Sequence, residues 1–259
     1  MSGEQAIFAG TRRLAPGTIA RFVAPSGTPA VTQYWDAVAV ARAGLARPFT
    51  GSADEAEDAL GALLEKAVRL RMVADVPLCA FLSGGVDSSL VVALMQAQSD
   101  RPVHTFSIQN ELSSYDEGPA ARAVARHLNT HHTAVTVTAR DALDVIPLLP
   151  TMYDEPFADS SQIPTFLVSR LARRDVTVAL SGDGGDELFG GYTRHVWGPR
   201  LWAFERRLPQ ALRSRLADFI TSKSAESWDA LFKRGRPLLP ETRIAGLRMH
   251  KAAAALGAI

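Results

Sequence analysis

A glycine- and serine-rich loop with one carboxylate, Ser83–Ser89, has the composition of a phosphate-binding turn. It follows the apolar run Leu78–Leu82, which predicts a buried strand, and precedes the apolar segment Leu90–Met95, which predicts a helix. The free N–H groups and the dipole at a helix N-terminus attract anions. Gly84 and Gly85 also let the backbone approach a phosphate closely. The alternative is a turn that only joins a strand to a helix.

The carboxylate of this loop distinguishes it from the Walker A motif, which ends in Gly-Lys-Ser or Gly-Lys-Thr. The loop contains no lysine and carries Asp87 instead. A carboxylate beside a polyphosphate is repelled unless a divalent cation lies between the two groups. We therefore expect Asp87 to bind Mg²⁺, which prefers oxygen ligands.

A second loop, Ser181–Glu187, combines glycines with the carboxylates of Asp183, Asp186 and Glu187. It follows the apolar segment Val176–Leu180, which predicts another buried strand. Carboxylates so close together repel one another, and their proximity becomes favourable where they bind Mg²⁺ or face a cationic group. The alternative is a solvent-facing acidic turn. Because this loop is paired with the first one, metal binding is the more specific interpretation.

Strands alternate with helices along most of the chain. A helix is predicted after Ser52, which forms a capping box with Glu55. The other predicted elements are the strands Leu78–Leu82, Val103–Ile108, Thr133–Val137 and Val176–Leu180, and helices near Glu117–Leu128 and Ser161–Arg174. This order indicates an α/β fold, a parallel sheet with helices on both faces, followed by a helical C-terminal part. Ligands of such folds bind beyond the carboxyl ends of the strands, where Ser83 and Ser181 lie.

The first 35 residues differ from the rest of the chain. Two short strands, Ala6–Gly10 and Thr18–Val23, are predicted on either side of the turn at Ala15-Pro16-Gly17. A loop follows at Pro25–Pro29.

Composition and charge exclude several classes of protein. The 259 residues carry a formal net charge of +1, which argues against broad binding to nucleic acid or to an anionic membrane. No apolar run reaches the roughly 18 residues of a membrane span, and the N-terminus lacks a signal-peptide core. The single cysteine, Cys79, cannot form an internal disulfide, which fits a cytoplasmic location. Its place inside a strand predicts a core residue.

Three segments, Ser83–Ser89, Tyr153–Ser161 and Leu180–Tyr192, resemble the synthetase half of the class-II, glutamine-hydrolysing asparagine synthetases. The first segment is similar to the PP-loop, Ser-Gly-Gly-x-Asp-Ser, of the N-type ATP pyrophosphatases, which cleave ATP to AMP and pyrophosphate. The resemblance runs from about Ile7 to the end of the chain. It implies an adenine nucleotide alpha hydrolase-like fold and an enzyme that uses ATP and Mg²⁺.

The resemblance also implies two incomplete domains. Residues 1–35 resemble the last strands of the family's N-terminal glutaminase domain and its linker, and residues 36–259 resemble the asparagine synthetase domain. The family's glutaminase nucleophile is an N-terminal cysteine, which Met1-Ser2 does not supply. Because Ala252–Ile259 carries no helix-terminating signal, the chain is expected to be a fragment.

Several residues match the family's nucleotide-binding positions. The first loop is expected to bind pyrophosphate through Ser83, Gly84, Gly85, Asp87, Ser88 and Ser89. Positions that flank the adenine and the ribose, or contact the nucleotide elsewhere, are matched by Leu82, Ile108, Ser181 and Gly182.

Two further aspartates are assigned to the metal and to catalysis. Asp186 is expected to bind the metal–pyrophosphate unit from the side opposite Asp87, so that both are metal ligands and Asp186 is also catalytic. Asp183 replaces the glutamate commonly found at its position, and it is expected to act in amination with a shorter reach. The family's catalytic lysine lies well downstream, and no matching segment surrounds Lys223, Lys233 or Lys251.

Other polar residues have two interpretations. One set fits either a functional role, in recognition of a substrate amine or in support of the acidic loop, or turn formation and helix capping: Asp154, Glu155, Asp159, Ser160 and Ser161. For His131 and His132, at the start of a strand, a structural role is favoured over metal binding. Several arginines of the helical tail are typical of a solvated helix face, among them Arg206, Arg207, Arg213 and Arg215.

The implied reaction joins ammonia to a carboxylate. ATP would activate the side chain of aspartate as an acyl-adenylate with release of pyrophosphate. Ammonia, taken from glutamine in the intact enzyme, would then displace AMP to give asparagine. A β-lactam synthetase-like ligase or an enzyme that amidates a sugar or natural-product acid is an alternative, and so is a nucleotide-binding fragment without turnover. The expected partners are small molecules, not nucleic acid or membrane, and a homodimer is compatible with the resemblance.

Overall fold

The computed structural model describes residues 4–24, 27–110, 116–156, 159–234 and 245–257. These residues form two compact units, Met1–Asp183 and Gly184–Ile259. Parts of four predicted segments lie outside the described residues, namely Met1-Ser2, Pro25-Ser26, Phe157-Ala158 and the chain end at 258–259. The boundary predicted near residue 35 concerns the domains of the family and stays a prediction.

A two-stranded hairpin lies near the N-terminus of the first unit. Strand β1 (Thr18–Arg21) pairs antiparallel with β2 (Ala30–Gln33). The predicted strand at Ala6–Gly10 is wrong, because this segment forms a turn in which the Thr11 amide donates to the Phe8 carbonyl. Gly10 has a φ of 79°, a left-handed conformation that ends an extended strand.

Two helices lead from the hairpin to the central sheet. Helix α1 (Ala37–Ala46) was not predicted. Its N-terminus is capped by the Asp36 carboxylate, which accepts from the Val38 and Ala39 amides. Helix α2 (Ala53–Arg71) begins at the predicted capping box, where Ser52 and Glu55 each accept from the other's amide.

A parallel sheet of four strands forms the centre of the first unit. Its strands are β3 (Leu78–Phe81), β4 (His104–Asn110), β5 (His131–Val137) and β6 (Val178–Leu180). Their order in the sheet is β5-β4-β3-β6, and each neighbouring pair is parallel. The chain therefore builds outward from β3 on one side and then returns to its other side. This reversal places a crevice at the carboxyl ends of β3 and β6, the usual ligand site of such a fold.

Helices cover both faces of this sheet, which confirms the predicted α/β fold. Helices α3 (Val86–Ala97), α4 (Gly118–His127) and α5 (Ala139–Val145) follow β3, β4 and β5 in turn. A 3₁₀ turn (Ile146–Leu148), α6 (Leu149–Met152) and α7 (Gln162–Ala172) lie between α5 and β6. Residues from α2, α3 and α4 pack on one face around Ala80 and Leu82. Residues from α7 pack on the other face around Cys79 and Phe106.

Cys79 is a core residue, as predicted, with none of its surface exposed. Burial raises the pKa of its thiol to about 11, so that the thiolate, the reactive form, is disfavoured at neutral pH.

The second unit is helical among its described residues. It contains α8 (Gly185–Phe189), α9 (Thr193–Glu205), α10 (Gln210–Thr221), α11 (Ala225–Arg234) and α12 (Ala245–Gly257). Trp228 is 7% exposed and donates its indole N–H to the Ile220 carbonyl at 2.9 Å. The Lys223 ammonium lies 5.5 Å from the Trp228 ring and 5.7 Å from the Phe219 ring, so it packs on aromatic faces. No helix of the described residues has the length and apolar character needed to cross a membrane.

A buried polar network joins β4 to β5. The imidazole of His132 lies 2.9 Å from the Thr105 hydroxyl through Nδ1 and 3.2 Å from the Ser107 hydroxyl through Nε2. Thr105 is fully buried and also contacts the Thr130 hydroxyl at 3.1 Å. Burial, and to a lesser degree the charge of Arg122, lower the pKa of His132. These contacts give His132 a structural setting.

The lowered pKa predicts an acid-sensitive stability. Unfolded histidine has a pKa of about 6.5, so the unfolded chain binds this proton more readily than the folded one. The free energy of unfolding therefore falls as pH drops below about 6.5 and through the lowered pKa of the folded state. We expect the thermal midpoint of the His132→Gln variant to fall less than that of the native chain between about pH 7 and about pH 5. The exposed His127 provides the control variant His127→Gln, and identical pH dependence in all three proteins would contradict the expectation.

Candidate active site

The loop after β3 lies directly against the first turn of α4. Gly84 has a φ of 81°, which favours glycine, and a side chain there would collide with the backbone of the helix. A Cβ on Gly84 would lie 2.6 Å from the Ala121 amide nitrogen and 2.7 Å from the Ala120 Cβ. The loop can take this shape because small residues lie on both sides of the contact. Sequence reasoning missed Ala120 and Ala121, since neither carries a group that could do chemistry.

Hydroxyl groups fix the shape of this loop. The Ser83 and Ser88 hydroxyls are 2.9 Å apart, and the Ser83 hydroxyl also accepts from the Gly85 amide at 3.2 Å. Gly85 is the N-cap of α3 and supplies no side-chain cap, so it satisfies none of the free amides of the first turn. The Ser89 hydroxyl is buried and finds no hydrogen-bond partner among the described residues. Most buried hydroxyl groups in folded proteins have a hydrogen-bond partner, so this one is an exception.

The loop after β6 comes close to the first loop at Gly182. A Cβ on Gly182 would lie 2.6 Å from the Ser88 amide nitrogen, 2.9 Å from the carbonyl carbon of Asp87 and 3.0 Å from its Cβ. Only a residue without a side chain fits this space. The structure therefore brings together three of the predicted nucleotide-binding residues at the crevice between β3 and β6.

Ser181 and Asp183 form a small hydrogen-bonded turn beside this contact. The Ser181 hydroxyl donates to the Asp183 carboxylate at 3.0 Å and accepts from the Asp183 amide at 3.4 Å. Both residues are exposed. The carboxylate of Asp183 is thus held at the open edge of the first unit.

Four carboxylates belong to the two loops, and they differ in their partners. Asp183 accepts from Ser181, and Glu187 accepts from the Tyr192 hydroxyl at 2.6 Å within the second unit. Asp87, half-buried in the first turn of α3, has no ion pair or side-chain hydrogen bond among the described residues; the same is true of Asp186 in α8. The two predicted metal ligands are therefore the carboxylates that their own unit leaves available.

The available carboxylates are oxygen ligands of the kind that Mg²⁺ prefers. The described part of the chain contains no group of three histidine, cysteine or acidic side chains that could hold a metal ion. Mg²⁺ usually takes one or two carboxylates and completes its six positions with phosphate oxygens and water. Asp87 and Asp186 could each supply one such carboxylate oxygen.

Leu82 and Ile108 lie deeper than the loops. The Leu82 side chain is 1% exposed and packs in the core beside α3, while its amide donates to the Phe106 carbonyl at 2.9 Å. Ile108, near the end of β4, is half-buried and packs against Val137 and Val145. Leu82 can therefore present only its main-chain carbonyl to a nucleotide.

The segment before α7 uses its carboxylates internally. The Asp159 carboxylate accepts from the Ser161 amide at 2.9 Å, and this bond lowers the pKa of Asp159, in line with the turn-forming interpretation. Glu155 accepts from the Ile7 amide at 3.2 Å and forms an ion pair with Arg13. No local pattern predicts this pairing, because the partners are 142 and 148 residues away from Glu155.

An open groove with basic lining lies on α7, and it contains none of the predicted site residues. It is lined by Phe166, Ser169, Arg170, Arg173 and Arg174.

Comparison with known proteins gives a consistent result. The family model described as asparagine synthase matches residues 59–254. A putative glutamine-hydrolysing asparagine synthetase of Methanocaldococcus jannaschii is 49% identical over 152 residues, which cover 58% of this chain and 29% of that protein. A putative glutamine-hydrolysing asparagine synthetase of Mycobacterium tuberculosis strain H37Rv is 40% identical over 205 residues, which cover 79% of this chain and 30% of that protein. The chain thus spans about 30% of the length of these curated relatives.

Among solved structures, an ammonia-dependent NAD synthetase from Campylobacter jejuni is 14% identical, with a TM-score of 0.35. The match covers 81% of this chain and 98% of that one.

The contact at Gly182 predicts a strong effect of one methyl group. In Gly182→Ala the new Cβ must displace the backbone of Asp87 and Ser88, and overpacking of this kind costs about 1–3 kcal/mol. We expect binding of Mg²⁺·ATP, measured by calorimetric titration, to weaken about tenfold or more as the two loops separate.

Two helical glycines with open space around them provide the control. Gly44→Ala in α1 and Gly61→Ala in α2 add the same methyl group without a collision. Both should leave binding unchanged and raise stability by about 0.5–1 kcal/mol. Native affinity in Gly182→Ala would show that the close contact does not shape the site.

Proposed function

The chain belongs to the asparagine synthase family, and from that premise we propose that the whole protein is an ATP-dependent ligase that converts aspartate to asparagine. The observation that carries this proposal is the contact of Gly182 with Asp87 and Ser88, which joins a phosphate-type loop to an acidic loop. A loop without a lysine and with an aspartate suits cleavage between the α and β phosphates, as the resemblance to the PP-loop implies.

The proposed reaction has two steps. An oxygen of the aspartate side chain attacks the α-phosphorus of ATP, the bond to the bridging oxygen breaks, and pyrophosphate leaves. Ammonia then attacks the carbonyl carbon of the acyl-adenylate, loses a proton, and expels AMP. The enzyme's main task in the first step is to align the carboxylate with the leaving pyrophosphate and to stabilise the charge that develops on it.

The loop after β3 is proposed to bind the leaving pyrophosphate. The amides of the first turn of α3 point out of the helix, and the helix dipole favours an anion there. The Ser89 hydroxyl supplies a donor that has no described partner. The Ser83 and Ser88 hydroxyls bond to each other, so they preorganise the loop.

Asp87 and Asp186 are proposed to hold Mg²⁺ together with the phosphate oxygens. When bound, this cation would neutralise charge on the β and γ phosphates and so favour departure of pyrophosphate. Their lack of described partners supports this assignment.

Asp183 is proposed to act in the second step. Its carboxylate, held by Ser181 at the open edge of the first unit, is suited to accept a proton from the attacking ammonia. No lysine takes the role of the family's catalytic lysine in this proposal, and Lys223 packs on aromatic rings.

The proposal extends to the rest of the protein. Residues 1–35 belong to the end of a glutaminase domain and its linker, residues 36–259 to the synthetase domain, and the ammonia comes from glutamine. A cytoplasmic location is supported by the single, fully buried cysteine.

The nature of the products tests the proposal directly. With ATP labelled at the α and γ phosphates, Mg²⁺, ammonia and aspartate, we expect the whole protein to form AMP and pyrophosphate together with asparagine. Supplying ammonia removes the need for glutamine hydrolysis. A parallel panel of sugar acids and β-amino acids tests the acceptor. ADP and orthophosphate as primary products would contradict the assignment, and amidation of a panel acid in place of aspartate would redirect it.

The two proposed metal ligands should fail in the same way when changed. Asp87→Asn and Asp186→Asn each remove one charged ligand. A hydrogen bond to a charged group contributes about 1.5–3 kcal/mol, and we expect the loss of a charged metal ligand to cost a comparable amount. We expect Mg²⁺-dependent ATP binding to weaken about tenfold or more. Binding of metal-free ATP should be equal or tighter, because each change removes a carboxylate that repels the bare polyphosphate.

Asp58→Asn, at an exposed position of α2, is the control for loss of one negative charge. Both loop variants should differ from it. Unaltered Mg²⁺ dependence in either loop variant would remove that aspartate from the metal site.

A further inference from the structure

Glu155 receives two donors from the first residues of the chain. Its Oε1 accepts from the Ile7 amide at 3.2 Å, and its Oε2 pairs with the Arg13 guanidinium. The Glu155 side chain is 17% exposed, compared with 44% for Arg13. A half-buried carboxylate with both oxygens engaged is a receptor for those donors.

The donors are held together by their own backbone. Gln5 and Arg12 form an antiparallel bridge, and the Arg13 amide donates to the Glu4 carbonyl at 2.9 Å. Gly10, with its φ of 79°, closes the turn between them. We call this segment, Glu4–Arg13, the N-terminal loop. It presents one amide and one guanidinium to the same carboxylate.

The receptor lies in a segment that is tied to the sheet. Glu155 precedes α7, whose residues Val168 and Ala172 pack against Cys79 of β3 and Phe106 of β4. The helix that follows this segment thus packs on the strand that carries the phosphate-type loop. Surface ion pairs contribute little, but a partly buried pair with both oxygens bonded resists separation.

We propose that Glu155 is a positioning residue that fastens the N-terminal loop to the segment before α7, and so couples the glutaminase side of the protein to the synthetase site. This inference rests on the proposed function and its domain assignment. It is an alternative to the interpretation of Glu155 as a contact of the substrate amine, and the KM for aspartate distinguishes the two.

The pairing itself is tested by hydrogen exchange at the Ile7 amide. In Glu155→Gln the acceptor becomes neutral, and in Arg13→Gln the guanidinium is lost, so we expect exchange at Ile7 to accelerate about tenfold or more in the first variant and less in the second. The double variant Arg13→Glu/Glu155→Arg restores an ion pair but gives Ile7 no acceptor, so its Ile7 amide should exchange as fast as in Glu155→Gln.

The coupling is tested by the ratio of glutamine-dependent to ammonia-dependent asparagine synthesis in the whole protein. We expect this ratio to fall at least about threefold in each single variant and to recover in part in the double variant, with the KM for aspartate unchanged. Arg140→Gln/Asp144→Asn breaks an exposed ion pair on α5 and should leave the ratio as it is.

Two outcomes would overturn the proposal. One is native exchange at Ile7 in Glu155→Gln, which would mean that the pair does not hold the loop. The other is an equal loss with both nitrogen sources together with a raised KM for aspartate, which would make Glu155 a substrate contact. If the native protein makes no asparagine even from ammonia, the proposed function fails separately. The exchange at Ile7 then decides whether Glu155 fastens the loop.

Discussion

The close approach of Gly182 to Asp87 and Ser88 is the constraint on which the candidate site depends. The register of β3 and β6 pairs Ala80 with Leu180, so the loops that follow these strands begin side by side at the sheet edge. With glycine at position 182 the two loops touch through their backbones. A side chain at position 182 would lie against the Ser88 amide in the first turn of α3, the part of the helix that attracts an anion.

The packing below the loops holds in place the strand that leads into this contact. Ala80 and Leu82 are held on one face of the sheet, and Cys79 is held on the other, so β3 is fixed between two apolar layers. The small residues of α4 that meet Gly84 complete the support from the side. The carboxylates of this region fall into two groups according to their hydrogen bonds and ion pairs. Those of Glu155, Asp159, Asp183 and Glu187 accept hydrogen bonds, whereas Asp87 and Asp186 have no side-chain hydrogen bond or ion pair within the part of the chain that the structure describes.

Sequence reasoning found the elements and the loops, because both depend on neighbouring residues. Apolar runs and the capping box of Ser52 placed the four strands of the parallel sheet and helices α2, α4 and α7 to within a few residues, but not α1, β2, α5 or α6. It failed where one residue overrode the local pattern, as Gly10 does in the predicted N-terminal strand. It also could not find contacts between distant segments, such as Gly84 with Ala121 or Glu155 with Arg13. These depend on the tertiary arrangement, and no periodicity encodes them.

The most direct test of the account is amide hydrogen exchange of the chain with and without Mg²⁺ and a non-hydrolysable ATP analogue. The account predicts that the amides of Gly84–Ser88 and of Gly182 become protected together, since one ligand covers both loops. Protection confined to the groove on α7, around Arg170 and Arg173, would contradict it, as would protection of one loop without the other.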